Sequence, residues 1–254
     1  MKNLALYIIL FNPCDIVFKN IEVATKLGLK VFVFNNTCES EKLEKISDCG
    51  VEVFGNGNNV GLGMSLNLGL KKIFHKGFKA CIYFDQDTAF SERALKEIIY
   101  IFNNNFNKNC LSYFFSSTPM NKLEFITINS GSLFNLEILN KLGYHSDSYF
   151  LEGIDYEMGL RAMQHNFSIQ KYHIKDIDHQ TFQDKTYLNF FGTKKEIRVY
   201  NFKRSKEIFI VNCRLFLHSI KIRAGIGYPF FFLKNILSLI LRNPINYLLL
   251  KLFK

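Results

Sequence analysis

The chain has 254 residues, 48% of them hydrophobic and 21% charged, with a formal net charge of +10. This composition excludes intrinsic disorder, and the length suits one α/β core with an appendage; the 27 Phe residues predict an aromatic-rich core. Six cysteines without CxxC or zinc-type spacing favour free thiols in a reducing cytosol over a disulfide framework. The first apolar run, residues 4–11, leads into Asn-Pro without a cleavage signal, so we expect no signal peptide.

Apolar runs typical of buried strands alternate with helical patterns along most of the chain. The predicted strands are residues 4–11, 30–34, 51–54, 80–84, 110–115, 125–129 and 168–172. Helices are predicted at 15–27, in the polar stretch ending at 48, in the stretch ending at 75, at 91–104 and 135–142, and from 155 onward. This alternation favours an α/β fold with a mostly parallel, doubly wound sheet.

The strand at residues 80–84 stops at two carboxylates, Asp85 and Asp87, separated by one residue. In open α/β sheets ligands bind at the carboxyl ends of the strands, and two carboxylates there repel each other unless a cation or donor groups neutralise them. Oxygen ligands favour Mg²⁺ or Mn²⁺, whose coordination substrate phosphates commonly complete. By itself the pattern is equally typical of a solvated turn before a helix cap at Ser91.

Two other chemistries use an Asp-x-Asp pair after a strand. A haloacid-dehalogenase-like phosphatase requires Thr two residues after the second Asp, where this chain has Ala89. A sugar nucleotidyltransferase requires a Gly-rich, basic loop after its first strand, where residues 11–14 read Phe-Asn-Pro-Cys. These differences weaken both hypotheses.

Polar residues also follow the second strand, at Asn35 and Asn36, where they could bind a base or ribose or form an Asx turn. The glycines in residues 61–69 lack the spacing of a dinucleotide-binding fingerprint, and they fit a loop whose backbone approaches a ligand at the start of a helix. Asp155 begins a predicted helix, so the helix dipole favours it there; it could equally be a general base for a sugar hydroxyl. His179 could be structural or a metal ligand.

Together these motifs resemble the family 2, GT-A-type inverting glycosyltransferases, in particular the bacterial rhamnosyltransferase-like branch, which is also similar to galactofuranosyltransferases. The resemblance covers residues 4–205. Its motifs occur in the family's order: residues 11–13, Asn35-Asn36, residues 59–69, Asp85-Gln86-Asp87, Ser130-Gly131-Ser132, Asp155-x-Glu157 with Arg161, and His179.

The resemblance implies a GT-A fold and a metal-dependent hexosyltransferase that uses a UDP- or dTDP-linked donor of rhamnose or another hexose. Its donor-binding residues would be Asn35, Asn67, Asp85 and Gly131. Asp85, Asp87 and His179 would hold Mg²⁺ or Mn²⁺, and Asp155 would take the proton from the acceptor hydroxyl. Many relatives carry Asp where this chain has Asn35, so the choice between uracil and thymine stays open.

The positive charge is concentrated in the carboxyl-terminal segment. Residues 187–254 carry 13 Lys or Arg against two Glu, whereas residues 1–186 carry 19 basic against 20 acidic residues. We therefore predict a catalytic domain at 1–186 and a basic helical extension at 187–254. The apolar stretch 228–252 contains no uncharged run near the ~20 residues of a membrane span.

On a helical wheel four polar residues of this stretch share one sector: Lys234, Asn235, Ser238 and Arg242. This predicts an amphipathic helix in the plane of an anionic cytoplasmic leaflet, assisted by an upstream basic cluster of Lys194, Lys195, Arg198, Lys203, Arg204 and Lys206. The same helix could pack on the catalytic domain or on a second subunit, as a homo-oligomer.

A membrane-docked glycosyltransferase implies a lipid-linked saccharide acceptor, used for a bacterial surface polysaccharide such as lipopolysaccharide or capsule, at the inner face of the plasma membrane. The competing hypothesis is a non-enzymatic membrane-binding protein on an α/β scaffold. Nucleic acid is disfavoured as a partner, because the basic residues are interleaved with aliphatic stretches and do not form a polar, aromatic groove.

Overall fold

The computed structural model describes residues 3–37, 39–179, 186–190, 193–197 and 199–252. The chain forms two compact units, Met1–Gln180 and Thr181–Lys254, whereas the sequence analysis placed the boundary between residues 186 and 187. The first unit contains, in order, β1 (Leu4–Phe11), α1 (Ile16–Lys26), β2 (Lys30–Thr37), α2 (Ser40–Asp48), β3 (Glu52–Phe54), α3 (Leu62–His75), β4 (Ala80–Asp85), β5 (Thr88–Phe90), α4 (Glu92–Asn105), β6 (Cys110–Ser116), β7 (Ser132–Asn135), α5 (Leu136–Leu142), α6 (Ile154–Gln164), β8 (Ser168–His173) and β9 (Ile177–His179).

The central sheet has the strand order β3-β2-β1-β4-β7-β6-β8. All neighbouring strands run parallel except β7, which is antiparallel to both β4 and β6. Strands β1 and β4 are buried on both faces, which is why they read as continuous apolar runs. The mostly parallel α/β sheet expected from the alternation of strand and helix is therefore confirmed.

Helices cover the sheet on both sides. On one face Leu6 and Ile8 of β1 share a core with Ile21 of α1 and Ile98 of α4. On the other face Tyr7 contacts α3, where its hydroxyl donates to the carbonyl oxygen of Ser65 at 2.6 Å. The helix approaches this ring closely because position 69 is glycine: a Cβ there would lie 2.0 Å from the Tyr7 Cζ.

The predicted strand at residues 125–129 is wrong. That segment is irregular, and the strand beside β4 is Ser132–Asn135, for which no strand was predicted. The place between β4 and β6 is buried on both faces, and Leu133 and Phe134 fill it with 0% and 2% exposure. By contrast Ile128 is 37% exposed, so the irregular segment buries less of its apolar pattern.

The second unit contains a hairpin of β10 (Thr186–Phe190) and β11 (Thr193–Ile197), then α7 (Phe202–Lys221) and α8 (Gly227–Leu252). The two helices pack against each other. The helical extension expected from the sequence is therefore present. Within the residues that the structure describes, no helix has the length and apolar character needed to cross a membrane.

Candidate active site

Two of the residues predicted for the site, Asn35 and Asp85, lie at the carboxyl edge of the central sheet, one on each side of β1. The end of β1 lies between its two parallel neighbours, with Leu10 paired to Asn35 of β2 and Ile9 paired to Asp85 of β4. Parallel strands bring their carboxyl ends to the same edge of the sheet. Residues that are far apart in the chain therefore lie at one edge here.

Asp85 is held by its own strand and by the segment that enters β7. The Tyr83 hydroxyl donates to Asp85 Oδ1 at 2.5 Å, and the Asp85 backbone N–H donates to Ser130 Oγ at 2.9 Å. Burial raises the pKa of Asp85 above its usual range, while the hydrogen bond from Tyr83 and the nearby His179 oppose that rise. A carboxylate enclosed in this way gains from a cation that neutralises it.

Gln86 fastens the Asp-Gln-Asp turn to the end of β1. Its amide nitrogen donates to the Phe11 carbonyl oxygen, and its amide oxygen accepts from the Phe11 N–H. The sequence pattern alone assigns Gln86 no role, because its backbone partner Phe11 lies 75 positions away in the chain. Asp87 lies partly exposed on the turn that Gln86 holds.

His179 reaches the site through β9, which pairs with β5 so that His179 lies opposite Thr88. Its Nδ1 lies 3.1 Å from Thr88 Oγ1, which is 2.9 Å from Ser130 Oγ, the group that accepts from the Asp85 backbone. Among the described residues, the buried Nε2 of His179 has no hydrogen-bond partner. Burial lowers the pKa of His179, which favours the neutral imidazole that binds metals.

These groups fit a divalent cation that also takes ligands from its substrate. Within the described part of the chain, no three His, Cys, Asp or Glu side chains are grouped so that they could hold a metal by themselves. Mg²⁺ and Mn²⁺ commonly use one or two protein carboxylates and complete their shell with phosphate and water. The unpartnered Nε2 of His179 and the enclosed Asp85 carboxylate suit such a site, and the set Asp85, Asp87 and His179 stays a prediction.

Asp155 lies in the first turn of α6, as the sequence predicted. Burial raises its pKa to about 7, and the negative charges of Asp85 and Glu152 add to the rise, while a backbone hydrogen bond from Asn129 opposes it. The influence of Asp85 places the two carboxyl groups within electrostatic reach of each other. A carboxylate with a pKa near neutrality has the proton affinity that a general base requires.

The two asparagines at the end of β2 have different roles. Asn36 holds the loop before α3, because its Oδ1 accepts from the Val60 N–H at 2.9 Å and its Nδ2 donates to Asn59 Oδ1 at 3.2 Å. Asn35 is 5% exposed, and its Oδ1 has no hydrogen-bond partner within the described residues. Of this pair, only the Asn35 amide oxygen lacks a partner within the described residues, and its contact with a nucleobase stays a prediction.

Asn67 is engaged within the protein. Its Nδ2 donates to the His145 carbonyl oxygen at 2.8 Å and to Asp147 Oδ1 at 3.1 Å, and its Oδ1 accepts from the His145 N–H at 2.9 Å. These bonds fasten the segment after α5 onto α3. Both N–H groups of Asn67 are therefore used, and the predicted contact with the nucleoside would have to use the remaining acceptor position of Oδ1 or replace one of these bonds.

Gly131 joins three elements at the edge of the site. Its N–H donates to the Tyr83 carbonyl oxygen at 2.9 Å, and its own carbonyl oxygen accepts from the Phe115 N–H at 2.8 Å. Its φ is +79°, and a Cβ would lie 2.6 Å from the Phe115 oxygen and 3.3 Å from His179 Cε1. Glycine is therefore required for the close packing beside His179, and its predicted contact with the donor remains untested.

An open cleft of about 590 Å³ lies beside Asn35, on the face of the sheet that α3 covers. Its lining is mostly apolar: Phe34, Phe54, Gly55, Asn56, Val60, Leu68 and Lys72. The Lys72 Nζ lies 4.7 Å from the centroid of the Phe54 ring and 3.3 Å from Glu52 Oε1, so its charge is already paired. The cleft thus lies next to the polar site. Its lining is mostly apolar, and the charge of its one lysine, Lys72, is paired with Glu52.

Comparison with solved structures identifies the fold. The chain is similar to residues 1–349 of S. aureus TarS, with a TM-score of 0.61 and 11% identity over 93% of this chain and 71% of that one. The same fragment in complex with UDP-GlcNAc gives a TM-score of 0.53 and 11% identity, over 84% of this chain and 66% of that one. Against the longer TarS structure, the chain spans 39% of its length.

A cytidylyltransferase from Leptospira borgpetersenii gives a TM-score of 0.49 and 14% identity over 97% of both chains. No family model matches the sequence, and no curated protein matches it. At these identities the likeness to TarS shows the fold alone, a mixed α/β fold with a mostly parallel central sheet. The expected GT-A-type fold is confirmed, whereas the rhamnosyltransferase-like branch stays a prediction.

Proposed function

We propose that this protein is an inverting glycosyltransferase that moves a hexose from a nucleotide diphosphate to a hydroxyl group of a saccharide. One observation carries the proposal: Asp155 has a pKa of about 7 and lies within electrostatic reach of Asp85. Two acids within electrostatic reach of each other suit two roles, one binding the donor and one accepting a proton. The GT-A-type fold supports the same assignment.

In this proposal Asp155 accepts the proton of the acceptor hydroxyl as its oxygen attacks the anomeric carbon, and the nucleoside diphosphate leaves from the opposite face. A single displacement of this kind inverts the configuration. A bound Mg²⁺ or Mn²⁺, held by Asp85, Asp87 and His179, would supply positive charge for the leaving diphosphate. Tyr83 and Ser130 orient Asp85, while Asn35 offers its unpartnered amide oxygen to the base.

The donor we propose is a UDP- or dTDP-linked rhamnose or other hexose. TarS forms a complex with UDP-GlcNAc on a similar fold, which supports a nucleotide-sugar donor here. For the acceptor we propose a lipid-linked saccharide, used for a surface polysaccharide at the inner face of a bacterial plasma membrane. The excess of basic residues in 187–254 supports that location.

Calorimetric titration tests the donor site. UDP and dTDP are titrated into the wild type and into Asp87→Ala, each with and without Mn²⁺. The proposal expects one nucleotide to bind in a metal-dependent way and the variant to lose that binding. The outcome against it is that neither nucleotide binds the wild type under any of these conditions.

A further inference from the structure

The outward face of α8 and the turn before it form a continuous apolar surface, which we call the outer stripe. Apart from the adjacent Ile240 and Leu241, its residues recur at intervals of three or four, so they lie along one side of the helix. They are Ile226, Phe230, Leu233, Leu237, Ile240, Leu241, Ile245 and Leu248, with exposed fractions of 89%, 66%, 39%, 49%, 51%, 61%, 55% and 58%. At 1.5 Å per residue the stripe is roughly 30 Å long, which exceeds the scattered single apolar residues of an ordinary surface.

The opposite side of α8 packs on α7 and holds polar side chains. Phe232 is fully buried, and Asn235 Nδ2 donates to Asn212 Oδ1 of α7 at 3.1 Å. Asn243 Nδ2 donates to Ser205 Oγ at 3.1 Å. The helical-wheel prediction therefore needs a correction: Asn235 is half-buried, and its amide bonds to α7.

Two cations border the outer stripe. Lys234 and Arg242 are both exposed, and they emerge from the same two turns that carry Leu237 and Leu241. Long basic side chains can extend past an apolar face and place their charge at the level of lipid headgroups. In the upstream basic cluster, residue 198 and the side chains of residues 194 and 195 lie outside what the structure describes, whereas Lys203, Arg204 and Lys206 lie on α7.

The charge of the segment decides which partner can cover the stripe. Residues 187–254 of a second copy would carry 13 Lys and Arg and two Glu, as this segment does. Positive charges would therefore face positive charges across such an interface. Anionic phospholipids neutralise these charges, and their acyl region accepts the apolar side chains. We propose that α8 docks with its outer stripe in the plane of an anionic bilayer surface, with the Lys234 and Arg242 charges at the headgroups.

Flotation of the full chain with lipid vesicles tests this proposal. Phosphatidylcholine vesicles containing phosphatidylglycerol should carry the wild type upward, while vesicles of phosphatidylcholine alone should carry less of it. Leu241→Glu should weaken binding to the anionic vesicles on the order of thirtyfold or more, because it removes one buried leucine and adds a negative charge at the surface. Lys234→Gln should weaken that binding by roughly fivefold and leave binding to neutral vesicles unchanged.

The matched control is Tyr100→Glu on α4, since Tyr100 is 64% exposed against 61% for Leu241 and receives the same charge. The control should float like the wild type. A wild type that stays at the bottom with anionic vesicles, or a Leu241→Glu variant that floats as well as the control, would overturn the proposal. A wild-type dimer in light scattering that Leu241→Glu converts to monomer would overturn it as well, by assigning the stripe to a second copy.

This inference goes beyond sugar transfer, and its test is separate from that of the active site. Flotation requires no nucleotide, and Leu241 lies in the second unit, so UDP and dTDP titrations of Leu241→Glu should match those of the wild type. A protein that floats without binding a nucleotide would contradict the proposed function alone. A protein that binds a nucleotide without floating would contradict the docking surface alone.

Discussion

The hydroxyl of Tyr83 donates a hydrogen bond to Asp85 Oδ1 across 2.5 Å. Residues two apart on a strand point to the same face, so the tyrosine and the carboxylate extend side by side from β4. The Tyr83 side chain is 1% exposed and its ring centroid lies 5.9 Å from that of Tyr7. The core therefore fixes the orientation of a carboxylate that stands at the edge of the site.

Replacing Tyr83 by Phe tests whether this orientation matters for the ligand. The ring and its packing stay, while Asp85 loses one donor to its charged form. Because a hydrogen bond to a charged group is worth about 1.5–3 kcal/mol, we expect metal-dependent nucleotide binding to weaken by roughly tenfold or more. Calorimetric titration with Mn²⁺ gives that change directly.

Tyr113→Phe is the control for this variant. Tyr113 is also 1% exposed, and its hydroxyl donates to a backbone oxygen of Asn105 at 3.1 Å, outside the candidate site. Its loss should affect stability without changing nucleotide affinity. Equal affinities for the wild type and Tyr83→Phe would show that Asp85 does not need its tyrosine to bind the ligand.

Asp155→Asn separates proton transfer from donor binding. An amide cannot accept the proton of the acceptor hydroxyl, so we expect the turnover number to fall by about 10²–10⁴-fold. The nucleotide should still bind in a metal-dependent way, since Asp155 is assigned to the acceptor. Glu137→Gln, which changes an exposed carboxylate on α5 that pairs with Lys141, provides the control with normal turnover.

The pH dependence of sugar transfer should report the same group. Asp155 has a pKa of about 7, so it is largely protonated in acid and cannot act as a base there. We therefore expect kcat/KM to rise from about pH 6 to about pH 8 and then to level off. A profile that is flat across this interval would exclude Asp155 as the titrating base.

The same shift predicts how stability depends on pH. The folded-state pKa of Asp155, about 7, lies above the ordinary carboxyl value of 3.8, so the folded protein binds this proton more tightly than the unfolded chain. This term stabilises the fold in acid and is lost as the pH rises toward 7. Asp155→Asn removes this pH-dependent term. The free energy of unfolding of the variant relative to the wild type, measured in urea, should therefore be higher at about pH 8 than at about pH 5 by roughly 2 kcal/mol.

Local composition was sufficient to predict the elements that carry the acids. A buried parallel strand must be apolar along its length, so the run at residues 80–84 and its abrupt end at Asp85 mark the carboxyl edge without further information. The start of α6 is marked in the same way by Gly153 and an acidic first turn. These features depend on the segment itself, and this explains why the sequence analysis could place Asp85 and Asp155.

Other features depend on neighbours that are distant in the chain. Residues 125–129 have a strand-like composition, but β4 and β6 pair with Ser132–Asn135, and only the assembled sheet makes that choice. The engagement of Asn67 with His145 joins residues separated by 78 positions. The bonds of Gln86 to the Phe11 backbone span 75 positions. Patterns within a segment carry no information about such partners.

Alanine substitutions at Gly131 and Gly143 separate the cost of a steric clash from the cost of backbone strain. Gly131 and Gly143 have nearly equal φ values, +79° and +80°, so alanine at either position incurs a similar backbone cost of about 1–2 kcal/mol. At Gly143 a Cβ would meet no described atom within 4 Å, whereas at Gly131 it would lie 2.6 Å from the Phe115 oxygen. Gly131→Ala should therefore lower the free energy of unfolding by roughly 1–3 kcal/mol more than Gly143→Ala. Urea unfolding measures the difference, and equal losses would mean that the strands beside His179 can separate without cost.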